Sequence, residues 1–311
     1  MSVILADVGG TNLRFAVATD GAIDATRTLS LKNDCYDSFY AALAHFLTVA
    51  QVAQIDGFTV AVAGPVSGHV ARLTNRDWTI DTHQLMRNYP GTFAKILNDL
   101  SALGYALDTL SPADVRPVLK GSRRSAEGDM RLVLGVGTGL NVSPVLRHAG
   151  CVTCLKAEAG LASLPTGVFR HLQAYVGPEN ARGFTIVEDA LSGRGLARFH
   201  HLATGSEMRG EAIMHAAARG EAQAVESVSV FARMLGDFVQ DLNLQYFPTG
   251  GIYLAGGVVR GLLDTACRTI LLDTLQATQA NRPNLCDIPV SVIVQDTAAL
   301  IGCLHYAQMR D

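Results

Sequence analysis

Two stretches of this chain share one grammar. "ILADVGGTNLRFAV" (4–17) and "LVLGVGTGLNVSPV" (132–145) each run as an apolar strand, a glycine turn carrying a threonine, and a second apolar strand. They lie about half a chain apart, which predicts an internally duplicated fold with two lobes facing each other. Strand and helix patterns alternate through the rest of the sequence, which places the chain in the α/β class.

The first unit reads as strands over 3–6, 12–18 and about 24–31, with a glycine turn at 8–10. Leu13, Phe15 and Val17 alternate with Arg14 and Ala16, the period of a half-buried strand. A helix is expected over 37–50, then the buried strand "FTVAVAG". Residues 221–247 predict one amphipathic helix, roughly 40 Å long at 1.5 Å per residue, with Val228, Phe231, Met234 and Phe238 on one stripe. The polar stretch 120–131 reads as a surface loop, and the last twelve residues as a terminal helix.

With 311 residues, 49% of them hydrophobic, the chain exceeds what one core usually serves, so two domains are expected. A net charge of −3 without a Lys/Arg block argues against a nucleic-acid surface. No run reaches the ~18 apolar residues of a membrane span. A strand from residue 3 leaves no room for a secretory leader, so a cytoplasmic protein is expected. Of six cysteines, Cys151 and Cys154 alone are spaced C-x-x-C, and no second pair or nearby histidine completes a zinc set. Reduced, scattered thiols are the expectation.

The turn "DVGGTN", Asp7 to Asn12, is built for a small anion. Glycines reach backbone conformations that let several amides converge on one target, and such nests bind phosphate oxygens. Asp7 would repel a bare phosphate, so an acid here makes sense with Mg²⁺ between the two. "GVGTG" is the counterpart in the second half. A further strand follows it, not the helix of a dinucleotide fingerprint, and no Walker sequence occurs. A third glycine step, "IYLAGGVV", lies between a strand and an expected helix. Together the three suit a nucleotide clamped in a cleft.

"AKILNDLSA" ends an apolar strand on Asn98 and Asp99. Asp99 can orient an alcohol and take its proton late, as a bond to phosphorus forms. Asn98 offers both a donor and an acceptor. Glu158, among small residues in "KAEAG", and Glu188, in "VEDALSG", add further acceptors for sugar hydroxyls. Each also has a bland reading, Asn98 and Asp99 as a helix cap, Glu158 and Glu188 as solvated acids.

The segments "DVGGTNLR", "VAGPVSGHVARLTNRDW", "ILNDL", "GVGTGL", "EDALSGRGL", "GGIYLAGGVV" and "VQDTAALIG" resemble, in order and over essentially the whole chain, those of the bacterial glucokinase family within the hexokinase/actin-like ATPase superfamily. The resemblance implies a two-lobed actin-like (ribonuclease H-like) α/β fold with a central cleft. It places a small lobe over 1–109 plus 298–311 and a large lobe over 110–297. It implies ATP-dependent phosphorylation of the glucose 6-hydroxyl with Mg²⁺, in a cytoplasmic homodimer. Asp99 matches the catalytic base; Asn98, Asp99, Glu158 and Glu188 match sugar-binding positions. Asp7, Gly9, Gly10, Thr11, Asn12, Gly137, Thr138 and Gly139 match the phosphate turns, with Asp7 toward the metal through water. Gly256 and Gly257 match the adenosine step.

Two positions depart from the family. Its sugar motif runs Gly-Glu-Gly-Gly-His, and here Leu161 stands where the histidine would reach the sugar. A hydroxyl left buried without that partner loses about 1–3 kcal/mol. Asn141 stands where the family has glycine, and its side chain is expected to crowd the phosphates. Two alternatives follow, a kinase for another hexose such as mannose or an amino sugar, and a catalytically weak sugar sensor. Against a DNA-binding regulator, the chain has neither a leading helix-turn-helix nor a cysteine-rich zinc motif.

Overall fold

The computed structural model describes residues 1–74, 76–121, 128–277 and 288–309. The chain divides into two compact units, Met1–Ser111 with Gln295–Asp311, and Pro112–Val294.

In the first unit, β1 (Ser2–Val8), β2 (Asn12–Thr19), β3 (Ala22–Lys32), β4 (Gly57–Val62) and a fifth strand, Phe93–Asn98, form one sheet. The order is β3-β2-β1-β4 and then Phe93–Asn98. β1, β2 and β3 pair antiparallel as a meander, whereas β4 and the fifth strand run parallel to β1. Alternation along β1 sorts the sheet into two faces. Ile4, Ala6 and Val8 join Phe15, Phe39, Phe46 and Phe58 in one core, while Val3 and Leu5 join Ala102, Ala299, Leu300 and Cys303 in another. On the first face lies α1 (Phe39–Val49), capped by the Ser38 hydroxyl accepting from the Ala41 amide. On the second lie the helix Asp99–Ala106 and the C-terminal helix Ala298–Gln308, whose small residues allow close packing. A separate three-stranded sheet, Val66–Ser67, Val70–Arg72 and Thr79–Asp81, is too short to show a periodic signal in sequence.

The second unit repeats the plan. The strands Met130–Val136, Leu140–His148 and Cys151–Cys154 form a meander. Ile252–Ala255 and Val290–Ile293 then add parallel to the first of them. Five strands therefore stand in the same spatial order as in the first unit, and a sixth, Val115–Leu119, closes the far edge antiparallel. The repeated grammar of the two sequence stretches is thus a repeated topology. The long helix spans Ala222–Tyr246, and Val228, Phe231, Met234 and Phe238 are buried on its inner stripe. Those four join the core that holds Leu132, Leu134, Leu196 and Phe199.

Residues 122–127, half of the polar stretch expected as a surface loop, lie outside the described residues, as does Cys286, and the end of that stretch, Met130 and Arg131, belongs to a strand instead. The other five cysteines are free thiols. Cys151 and Cys154 lie three apart on a strand, which sends their side chains to opposite faces and away from a shared metal. Burial pushes the Cys154 thiol up to about 12, so it stays protonated. Among the described residues no helix is long and apolar enough to cross a membrane.

Candidate active site

In the first unit, three parallel strands end level. Val8 pairs with Val62 and Val62 with Asn98, so the glycine turn after β1 and the Asn98–Asp99 pair emerge at the same edge of the sheet. The carboxyl ends of parallel strands are where open α/β sheets take their ligands. Asn98 caps the helix Asp99–Ala106, its Oδ1 accepting from the Leu100 amide at 3.0 Å. Its Nδ2 donates to the Gly64 carbonyl at 3.3 Å and the Val62 carbonyl at 3.5 Å. The capping reading of Asn98 is therefore realised, and a second lone pair remains on its carbonyl oxygen.

Asp99 is the first residue of that helix and its carboxylate also accepts from the Leu100 amide, at 2.9 Å. Alternation along β1 puts Asp7 on the sheet face that this helix covers, with Val3 and Leu5. Two half-buried carboxylates thus share one neighbourhood. Burial first, then the charge of Asp7, raise the Asp99 carboxyl from its ordinary 3.8 to about 7. The Asp7 carboxyl is raised as well, by burial, against the opposing pull of Arg14. Arg14 stands directly across the ladder from Asp7 and reaches it at 3.4 Å.

The turn after β1 is held from outside. The Gly9 amide closes the turn onto the Asn12 carbonyl at 2.9 Å. Asn33, fully buried, donates its Nδ2 to the Gly9 carbonyl at 2.8 Å and its own amide to the Thr11 carbonyl at 3.0 Å. Sequence reasoning missed Asn33, which sits between Lys32 and Asp34 in a polar stretch where nothing marks it as buried. Thr11 and Asn12 point into solvent.

In the second unit, the turn 137–139 and the step Gly256–Gly257 follow adjacent parallel strands, with Gly135 paired to Ala255. Gly256 has φ +106°, and a Cβ there would run into the Val136 carbonyl, so the close approach of the two loops needs glycine. The Gly137 amide closes its own turn onto the Gly139 carbonyl at 2.9 Å, and the Gly137 carbonyl accepts from the Gly193 amide at 2.8 Å. Gly193 begins the helix Gly193–Thr204, whose cap Ser192 accepts from Gly195 at 3.0 Å. The structure therefore gathers Gly137, Thr138, Gly139, Gly256 and Gly257 at one end of the sheet, with the start of that helix against them.

Glu188 and Glu158 both attach to the start of the strand that leaves this turn. Glu188 accepts from the Leu140 amide at 3.0 Å and is paired with Arg194. A Cβ on Gly139 would run into its carboxylate. Glu158, exposed, accepts from Asn141 Nδ2 at 3.0 Å. Glu188, held by two partners, is not the solvated acid of the bland reading, whereas Glu158 is exposed with one bond to Asn141. The expectation that Asn141 crowds the phosphates is corrected: its side chain turns to the 157–159 segment and bonds there. Leu161 is 62% exposed on the short turn Ala159–Leu161 beside Glu158.

The family model described as Glucokinase matches residues 4–310. The chain belongs to the glucokinase family. Membership makes it an ATP-dependent sugar kinase on the actin-like ATPase fold. This glucokinase-family chain is 30% identical over 307 residues to a glucokinase of Chromobacterium violaceum, covering 96% of the chain and 87% of that relative. A glucokinase of Rhizobium leguminosarum bv. trifolii is 27% identical over 317 residues, 99% of the chain and 92% of the relative. In fold, it superposes on a crystal structure of glucokinase from an Antarctic psychrotroph with a TM-score of 0.79 at 23% identity, covering 98% of both chains.

Among the described residues of the kinase, no group of three or more His, Cys, Asp and Glu could hold a metal by itself. The carboxylate donors near the first turn are Asp7 and Asp99.

Proposed function

We propose that this kinase transfers the terminal phosphoryl group of ATP to the 6-hydroxyl of glucose, with Asp99 as general base. The observation that carries the reading is the Asp99 carboxyl, raised to about 7 at the carboxyl edge of the sheet beside Asp7. A base poised near the working pH is ionised often enough to act and is a better proton acceptor than an ordinary aspartate. The hydroxyl oxygen attacks phosphorus, its bond to phosphorus forms while the bridging phosphorus–oxygen bond breaks, and the proton passes to the Asp99 carboxylate late in that step. ADP leaves with the electron pair of the broken bond.

Two neighbouring carboxylates that both hold their protons more tightly than usual, Asp99 partly through the charge of Asp7, are a donor set that fits a divalent cation, and Mg²⁺ suits one or two carboxylates with water and phosphate oxygens completing the shell. Asp7 would hold it through water, and when bound it neutralises phosphate charge. Since the Gly9 and Gly137 amides close their own turns, phosphate binding falls to the rest of each turn, Gly10, Thr11 and Asn12 in one and Thr138 and Gly139 in the other. Gly256 and Gly257 take the adenosine. Glu158, Glu188 and the free lone pair of Asn98 accept hydroxyls of the sugar. By resemblance to the family, the kinase acts as a cytoplasmic homodimer that feeds sugar breakdown.

One observation favours a second reading. Leu161, exposed and apolar beside Glu158, offers no hydrogen bond where the family carries histidine, which suits a hexose differing near positions 1 and 2. A panel of glucose, mannose, fructose, glucosamine and N-acetylmannosamine in a coupled ADP-release assay separates the readings. Glucose is expected to give the highest kcat/KM. A tenfold preference for another hexose, or sugar binding with no turnover of any of them, would overturn the glucose assignment.

A further inference from the structure

Asn141 makes four hydrogen bonds with one side chain. Its Oδ1 accepts from its neighbour's amide, Val142, and from Ala159 N, both at 2.9 Å. Its Nδ2 donates to the Ala157 carbonyl at 2.8 Å and to Glu158 Oε2 at 3.0 Å. Two lone pairs and two N–H bonds are a primary amide's whole capacity, so the side chain is saturated. Three of the four partners lie on the segment 157–159. That segment follows the strand Cys151–Cys154 and leads into the turn Ala159–Leu161.

The placement in the ladder explains why this residue can do so. Asn141 pairs across the hairpin with Gly135, one step from the turn, just as Arg14 pairs with Asp7 in the first unit. With glycine opposite, the amide side chain meets no cross-strand neighbour of its own size. Its predecessor, Leu140, donates its amide to Glu188. Two consecutive residues at the exit of the 137–139 turn therefore hold the two acids, one through the backbone and one through a side chain.

We propose that Asn141 is a positioning residue for hexose binding, which fixes the 157–159 segment and engages one oxygen of Glu158 so that the other is presented to a sugar hydroxyl. The proposal rests on the reading of Glu158 as a sugar ligand. An exposed glutamate left to itself samples many rotamers, and ordering it on binding opposes affinity. Asn141 does that ordering before the sugar arrives. The chain thereby gains rigidity at Glu158 in the same segment where Leu161 forgoes a hydrogen bond.

The test compares three variants in the coupled ADP-release assay, with glucose KM, ATP KM and kcat measured separately from pH 6 to pH 9. Asn141→Asp keeps an oxygen for the Val142 and Ala159 amides but sets a second carboxylate against Glu158. Its glucose KM is expected to rise about tenfold or more, with ATP KM and kcat within about threefold of the parent. Asn141→Gly, which no β-strand position forbids, should raise glucose KM as well, by less than the Asp variant because it adds no charge beside Glu158, and it serves if the Asp variant fails to fold. Glu158→Gln separates the two readings. If it raises glucose KM while both Asn141 variants match the parent, the positioning role is overturned and Glu158 stands as a ligand. If Glu158→Gln leaves glucose KM unchanged, the assignment of Glu158 fails and the role of Asn141 with it.

Discussion

Asp99 carries opposite consequences for activity and for stability. Its proton affinity is raised by burial and by Asp7, to about 7. Only the ionised form accepts a proton, so kcat/KM for glucose should rise with pH through about 7 and level off above it. A flat profile from pH 5.5 to 8.5 would contradict a role for this group. For folding the sign reverses. A carboxyl whose folded pKa exceeds its unfolded value stabilises the fold most below about 4, and that contribution is lost as pH climbs through about 7. Asp99→Asn should therefore gain about 1–2 kcal/mol at pH 8, a figure held down by partial solvent exposure, and gain nothing at pH 4. Chemical denaturation at the two pH values checks it. At this scale the sequence marked which residues to propose for the chemistry and was silent on how they are held. Asp99 and Glu158 stood out as acids in strand-end and small-residue settings. Asn33 and Arg194 did not, because a residue that only orients another has no signature of its own in the chain, and Asn141 stood out only as a departure from the family, with a different role expected of it.

Among elements, the hairpins were the most legible, since an apolar strand, a glycine turn and an apolar strand admit few other structures. The long helix Ala222–Tyr246 was legible for the same reason, with a buried stripe at helical spacing. The three short strands between 66 and 81 were not, because two or three residues cannot establish a period. The glycine step 256–257 was a weak motif in sequence and gains its force from geometry. Gly256 holds φ +106° against the Val136 carbonyl, so Gly256→Ala should destabilise the fold by about 1–3 kcal/mol and raise ATP KM more than glucose KM. Thermal melts with initial-rate kinetics would show it. The helix starting at Gly193 brings Arg194 to Glu188. Arg194→Ala should raise glucose KM several-fold with little change in ATP KM, because it frees the acid without touching the glycine turns. Equal effects on both constants would mean that Arg194 supports the helix rather than the acid.

For the molecule as a whole, the same five-strand order in both units accounts for the repeat with which the sequence announces itself. Each unit delivers a glycine turn and at least one acid from the same end of its sheet, and the glucokinase family model matches nearly the full chain. The fold class was thus readable before any coordinates, whereas sugar preference was not, since in the proposed reading it turns on Leu161 and on how Glu158 is held. The central claim is that Asp99 takes the proton from the sugar. Glucose-dependent ADP release by Asp99→Asn at pH 8, with folding verified by its melting transition, tests it most directly. The account predicts a kcat reduced by about 10²–10⁴ with glucose still bound; a folded Asp99→Asn protein turning over at the parental rate would contradict it.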